Sequence, residues 1–169
     1  WEIVDEGISV KLYPSCAGTH PTIDTLLDLR REHDLGPEDI EAVDIGVDGV
    51  IPTVLIHDRP TSGLEAKFSL HFCAAAALAH GRVGMDMFEA SGVLDPVVQR
   101  LIPRVTMRVD DALVGASPPL THARVRVTLA DGRTLERAVS GARGYPDRPA
   151  STADRDGKFL ECATRCVSS

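Results

Sequence analysis

Two segments of alternating apolar and polar residues, joined by Asp131-Gly132, limit the fold of this chain more than any other feature. Residues 124–129 alternate before the turn, and residues 135–139 alternate after it. Alternation with a period of two is typical of a strand with one buried face. Asp-Gly is the strongest short signal for a hairpin. The pattern therefore predicts an antiparallel hairpin with a two-residue turn.

Other segments predict further strands and several helices. Alternation at residues 8–13, 43–47 and 105–109 indicates three more strands. Pro21 suits a first helical position and predicts a helix that ends at Gly36-Pro37. The capping pattern Ser62-x-x-Glu65 predicts a second helix, which continues to Gly81.

Two more helix starts complete the pattern. Asp95-Pro96 opens a short helix that ends at Pro103, and Ser151-x-x-Asp154 opens a terminal helix. Helices and hairpin-linked strands are mixed rather than strictly alternating. This order favours an α+β fold with a mainly antiparallel sheet and helices packed on one face.

Length and charge exclude several classes of protein. A chain of 169 residues suits one domain, and we expect residues 1–169 to form a single one. With 18 basic against 25 acidic residues, the net charge of −7 argues against binding of nucleic acid or anionic lipid. The longest apolar run, residues 72–79, is too short to span a bilayer. Trp1 in place of Met indicates a processed or truncated piece of a longer protein.

The four cysteines are too few for a disulfide-stabilised scaffold, so we expect a reducing, cytoplasmic compartment. Cys162 and Cys166 have the i,i+4 spacing that could hold a metal, but no second Cys or His pair accompanies them at zinc-site spacing. Two small residues on one face of a terminal helix are the favoured interpretation. We therefore expect no metal. Stoichiometric zinc in the purified protein would revive the alternative, a metal-binding module.

The segment 11–21 concentrates groups that can carry chemistry. It holds Lys11, Cys16, Thr19 and His20 and ends at a predicted helix start. Unpaired amides and the helix dipole favour an anion there, and a histidine can donate a hydrogen bond or move a proton near neutral pH. The segment predicts a pocket for a small carboxylate. Alternatively, Thr19 caps the helix, His20 is a solvated loop residue and Lys11 lies on an edge strand.

A second candidate region runs from Asp58 to Ser69, after a loop that is long for a compact domain. Arg59 could form a bidentate pair with a carboxylate. Lys67 is predicted in the first turn of its helix, where a cation is unfavourable unless an anion lies nearby. A surface cluster of Lys67 with Glu65 is the simpler interpretation from the residues alone.

Several motifs in order resemble the C-terminal domain of the MmgE/PrpD family. The first is Lys-x-Tyr-Pro-Ser-Cys-x-x-Thr-His-Pro-x-Ile-Asp at residues 11–24, and the second is Gly-Leu-Glu-Ala-Lys-Phe-Ser at residues 63–69. An Ala-rich helix, Gly81-Arg82-Val83, Asp95-Pro96-Val97, Arg104-Val105, Asp131-Gly132-Arg133, Gly144-x-Pro-x-x-Pro-x-Ser and Lys158-Phe159 follow. The similarity covers nearly the whole chain, and no single motif carries it.

This resemblance implies a function and a larger protein. The family includes 2-methylcitrate dehydratases, cis-aconitate decarboxylases and iminodisuccinate epimerases, which move a proton next to a carboxylate without a metal or organic cofactor. Members have a large helical N-terminal domain besides the smaller α+β domain, with the active site between them, and homodimers are usual. The resemblance therefore implies a missing N-terminal helical domain, a homodimer and a small polycarboxylate substrate.

The resemblance also implies roles for single residues. Lys11 falls where the decarboxylase branch has a substrate-site lysine, and Cys16 where that branch has an active-site histidine. Thr19 and His20 match the Thr-His pair of many members. His57 lies in the region from which that branch contributes a tyrosine, and is the candidate substitute.

We therefore expect part of a cofactor-free lyase or isomerase for small di- or tricarboxylates, of the 2-methylcitrate dehydratase type. Lys11 and His20 are the expected catalytic residues. Substrate-binding residues are expected at Cys16, Thr19, His57, Arg59 and Lys67. The alternative is a stand-alone, non-catalytic domain that binds a ligand or mediates dimerisation.

Overall fold

A computed structural model describes residues 7–116 and 120–166 of the chain. Its α-helices are α1 His20–Glu32, α2 Ile51–Val54, α3 Gly63–Lys67, α4 Leu70–His80, α5 Ala90–Val93, α6 Pro96–Leu101 and α7 Thr152–Ala163. Its strands are β1 Ile40–Val47, β2 Val105–Val109, β3 His122–Leu129 and β4 Thr134–Ser140. The predicted α+β class is confirmed.

The strands form one sheet in the order β2-β1-β3-β4. β3 is antiparallel to both of its neighbours, but β1 and β2 are parallel. The sheet is therefore mixed, and the prediction of a mainly antiparallel sheet is wrong. The chain between β1 and β2 passes through α2 to α6, and a long crossover of this kind can return the next strand in a parallel direction. Alternation along a strand carries no information about its direction.

The predicted hairpin is present between β3 and β4, with a turn one residue longer than expected. Thr128 pairs with Thr134, and the amide of Leu129 donates to the carbonyl of Arg133 at 2.8 Å. Residues 130–132 therefore form the loop. Gly132 has a φ of 86°, a left-handed conformation that suits glycine. Three-residue hairpin loops commonly end in such a residue.

One face of the sheet carries the hydrophobic core. In β1, the inward side chains of Val43, Ile45 and Val47 are buried, and they pair in register with apolar residues of β2 and β3. Helices α1 and α4 contact this layer. The opposite face is polar, with an exposed ion pair between Arg126 and Glu136. The helices therefore pack on one side of the sheet.

The helix predicted from Ser62 to Gly81 is divided into α3 and α4. Ser69 lies between them and accepts a hydrogen bond from the amide of Phe72 at 3.0 Å, so it caps α4. A serine hydroxyl that binds nearby amides competes with a continuous helix. The break places Lys67 at the end of α3 rather than in the first turn of a long helix.

The strand predicted at residues 8–13 does not form. The amide of Val10 donates to the carbonyl of Gly144 at 2.7 Å, and no described ladder follows. Gly144 has a φ of 94°, and a Cβ there would overlap the carbonyl oxygen of Val10. This close backbone contact ties the N-terminal segment to the loop after β4.

Candidate functional site

The loop before α1 is held in shape by its own polar residues. The hydroxyl of Thr19 donates to the carbonyl of Cys16 at 2.8 Å, and it lies 2.7 Å from the hydroxyl of Ser15. The amide of Cys16 donates to the carbonyl of Lys67 at 2.9 Å. These contacts bring the two regions that the sequence singled out, residues 11–20 and 63–69, against each other.

A cavity of about 360 Å³ opens where these regions meet. It is lined by Lys11, Tyr13, Pro14, Ser15, Cys16, Lys67, Phe68 and Lys158. Three of these described lining residues are lysines and none is acidic. The ammonium group of Lys11 donates to the carbonyl of Ser15 at 3.3 Å, which holds it at the cavity wall. A cavity with this lining attracts anions.

The predicted site residues separate into three groups. Lys11, Cys16 and Lys67 line the cavity. Thr19 and His20 are fully buried and are not among its lining residues. His57 and Arg59 also lie outside the lining, but the two differ in position. The amide of His57 donates to the carbonyl of the lining residue Phe68 at 3.4 Å, whereas Arg59 is exposed.

His20 is a buried, neutral imidazole. Its ring packs edge-on against Tyr13, with 5.1 Å between the ring centroids. Burial lowers the pKa of His20 to about 4, against the opposing effect of the Ser15 backbone, and Lys11 lowers it further. Neither ring nitrogen has a well-formed hydrogen bond within the described part of the chain. At neutral pH this ring is uncharged.

The start of α1 is also buried. The helix begins at His20, one residue before the predicted Pro21, after a tight turn at Ala17–Thr19. Thr19 does not cap it through its side chain. The residues of the first turn are buried, so the cavity wall is formed by the loop before the helix.

A buried polar cluster lies behind the cavity, and no sequence motif predicts it. The hydroxyl of Tyr13 donates to the carboxylate of Asp24 at 2.5 Å and accepts from Arg143 at 2.8 Å. Arg143 binds the same carboxylate through its backbone amide at 2.6 Å and its Nε at 2.8 Å. Burial and the neighbouring carboxylate raise the pKa of Tyr13. The cluster joins the cavity loop, α1 and the loop after β4.

Lys158 is the lysine of this lining to which the sequence assigned no role. It lies on α7, more than 140 residues along the chain from Lys11. Its spacing in the helix carries no signal for a site, and it was noted only within the Lys158-Phe159 motif of the family resemblance. Only the folded chain places it beside Lys11 and Lys67.

The described residues offer neither a cluster of metal ligands nor a membrane-spanning helix. Within residues 7–116 and 120–166, no three His, Cys, Asp or Glu side chains cluster in a way that could hold a metal ion. Cys162 and Cys166 are free thiols, and the Sγ atom of Cys162 lies 3.7 Å from the Sδ atom of Met85. None of the described helices has the length and apolar character needed to cross a membrane.

Comparison with known proteins gives consistent matches. The model of the MmgE/PrpD C-terminal domain matches residues 13–169. Human cis-aconitate decarboxylase is 26% identical over 176 aligned residues, which cover 99% of this chain and 35% of the human protein. The cis-aconitate decarboxylase-like protein oryM of Aspergillus oryzae is 25% identical over 170 residues, which cover 96% of this chain and 35% of that protein. The chain thus spans about a third of the length of these relatives.

Proposed function

The chain belongs to the MmgE/PrpD family through its C-terminal domain, and from this premise we propose that it forms part of a lyase or isomerase for small di- or tricarboxylates. The proposed reaction moves a proton at a carbon next to a carboxylate and needs no cofactor. Both relatives named above are cis-aconitate decarboxylases or similar to them, which supports a lyase reaction on a tricarboxylate. Dehydration and epimerisation are the other reaction types to be tested.

The observation that carries this proposal is a cavity whose described lining holds three lysines and no acidic residue. Lys11 and Lys67 come from separate parts of the chain and line the same cavity of about 360 Å³. This volume lies within the range of small-molecule sites. Several ammonium groups at a small cavity suit a compact molecule with several carboxylates.

The same lysines suit the chemistry that we propose. A base of the proposed N-terminal domain takes the proton from carbon, and the electron pair of the broken C–H bond spreads onto the adjacent carboxylate as an enolate. Preorganised cations stabilise this added charge in the transition state. The intermediate then expels hydroxide from the neighbouring carbon or regains a proton on the other face. In a decarboxylation, the electron pair of the broken carbon–carboxylate bond is stabilised in the same way and is then protonated.

The remaining predicted residues take supporting roles in this proposal. Cys16 contacts the substrate from the loop, and Thr19 keeps the loop in shape through its bond to the Cys16 carbonyl. His20 is buried and neutral, so we assign it the positioning of the Tyr13 side of the cavity rather than proton transfer. His57, next to Phe68, is the candidate proton donor from this domain, and Arg59 is a peripheral substrate contact.

The rest of the active site is proposed to lie outside this chain. Because the relatives are about three times as long, we propose that an N-terminal helical domain closes the cavity and supplies the remaining catalytic groups. The complete protein is proposed to act as a homodimer. The chain alone is expected to bind the substrate weakly and to be inactive.

Turnover by the full-length protein tests the proposal. We would screen citrate-like and aspartate-like acids by mass spectrometry and by loss of optical activity. With the substrate found, Lys11→Ala should lower kcat/KM about 100-fold, as removal of a preorganised charge partner commonly does. Arg31→Ala is the control, because it removes a cation that is 72% exposed and outside the cavity. Unchanged turnover in Lys11→Ala would refute the assignment of Lys11.

Exposed apolar side chains favour a second candidate, a stand-alone dimerisation domain. Leu64 and Phe159 are each 70% exposed, and Ile56 is 66% exposed. A contiguous apolar patch marks an interface with another protein, so this candidate requires these side chains to form one patch. Light scattering of the purified chain distinguishes the candidates. A dimer that Phe159→Gln dissociates, together with no binding of polycarboxylates, would favour the second.

A further inference from the structure

Helix α7 brings a lysine to the cavity that neither the sequence nor the proposed roles account for. Lys158 lines the cavity together with Lys11 and Lys67. We propose that Lys158 is the third cation of this cavity lining that binds the substrate and that it determines a preference for three carboxylate groups over two. This inference rests on the proposed function and concerns the same cavity.

The two carboxylates nearest to Lys158 along its helix bind other groups. Asp154 precedes it by one helical turn, but its carboxylate accepts from the amide and hydroxyl of Ser151 at 3.0 and 2.7 Å. Glu161 follows by three residues, but its carboxylate accepts from the amide of Met85 at 2.6 Å. Among the described residues, none forms an ion pair with Lys158 within 4.0 Å. Its ammonium group therefore remains available to a ligand.

The other two lysines already have local contacts that fix their places. Lys11 is bound to the carbonyl of Ser15, and the ammonium group of Lys67 lies 6.0 Å from the centre of the Phe88 ring. These two suit a pair of carboxylates held at fixed positions. Lys158 reaches the cavity from α7, a third element, so it can bind a third carboxylate of the substrate.

The attachment of α7 allows Lys158 to adjust to a ligand. No residue of this helix is buried. The helix is held through Glu161 on the amide of Met85 and, just beyond its end, through Arg165 on Glu89 at 2.5 Å. A second hollow of about 420 Å³ lies beneath the helix and also reaches Lys158. Small shifts of α7 therefore break few contacts, and a trianion can draw Lys158 inward.

Binding of two unreactive acids to the full-length protein tests this inference. Tricarballylate has three carboxylates. Glutarate has the same carbon chain with the two terminal carboxylates but lacks the central one. Isothermal titration calorimetry at low salt should show that Lys158→Gln weakens tricarballylate at least 10-fold and glutarate less than 2-fold. Lys158→Arg should restore most of the affinity for tricarballylate, because it restores the charge. Arg155→Gln, on the exposed side of the same helix, should change neither affinity.

The possible failures have different signatures. If Lys158→Gln weakened the affinity for both acids equally, or for neither of them, the proposed role of Lys158 would be wrong. The proposed function would still stand if Lys11→Gln weakened the binding of both acids. If the wild-type protein bound neither acid, both proposals would be wrong.

Discussion

The buried imidazole of His20 makes the stability of this protein depend on pH in a defined window. The ring is fully buried, and its nitrogens lack well-formed hydrogen bonds within the described residues. Burial lowers its pKa from 6.5 to about 4 in the folded state. In the unfolded chain the pKa returns to its ordinary value. Between these two values the unfolded state binds a proton that the folded state does not.

The sign and size of the effect follow from this difference. Stability rises with pH wherever the unfolded state binds more protons. Above pH 6.5, titration of His20 therefore does not change the free energy of unfolding. As the pH falls from 6.5 toward 4, the folded state loses stability. Each pKa unit corresponds to about 1.4 kcal/mol, so His20 alone accounts for a loss of about 3 kcal/mol across the window.

Urea unfolding between pH 4 and 7.5 measures this effect. His20→Leu removes the titrating group without adding a buried polar one, and His20→Gln gives a second non-titrating variant if leucine packs poorly. In both variants, the free energy of unfolding should depend much less on pH than it does in the wild type. His33→Gln is the control, because His33 is exposed at the end of α1. If the His20 variants kept the full slope of the wild type, our account of this ring would be wrong.

Five further substitutions, two matched pairs and one single change, test the packing by urea unfolding. Asp24→Asn should cost about 3 kcal/mol because it breaks a buried ion pair, whereas Glu32→Gln should cost clearly less, because solvent screens its exposed pair with Arg137; equal losses would contradict the cluster. Gly144→Ala should destabilise more than Gly141→Ala, since both have positive φ but only the first would overlap a carbonyl; similar losses would argue against the close contact. Ser69→Ala should cost about 1 kcal/mol as a lost helix cap, and a neutral result would show that the hydroxyl does not separate the two helices.

Local features of the fold were predictable from the sequence. The hairpin at Asp131-Gly132 and the capping pattern at Ser151 are both present, because turn and cap geometry depend on a few adjacent residues. The division of the predicted helix at Ser69 was missed. A serine in a helical pattern fits either a helix interior or a cap, and the choice depends on contacts made elsewhere in the chain.

Part of the candidate site was also predictable. Lys11, Cys16 and Lys67 were singled out from their own segments, and the structure brings all three to one cavity. His20 was expected at the substrate but is buried. The chemistry of an imidazole shows in the sequence, whereas its depth depends on the loop and helix that cover it.

The sequence by itself determined the α+β class, the hairpin, the cap at Ser151 and the groups able to bind an anion. Only the tertiary structure decided that β2 runs parallel to β1 and that Asp24 is joined to Arg143. It alone placed Lys158 beside Lys11. The physical reason is distance along the chain. Patterns of neighbouring residues fix which surface a segment buries, but contacts between remote segments depend on how the whole core packs.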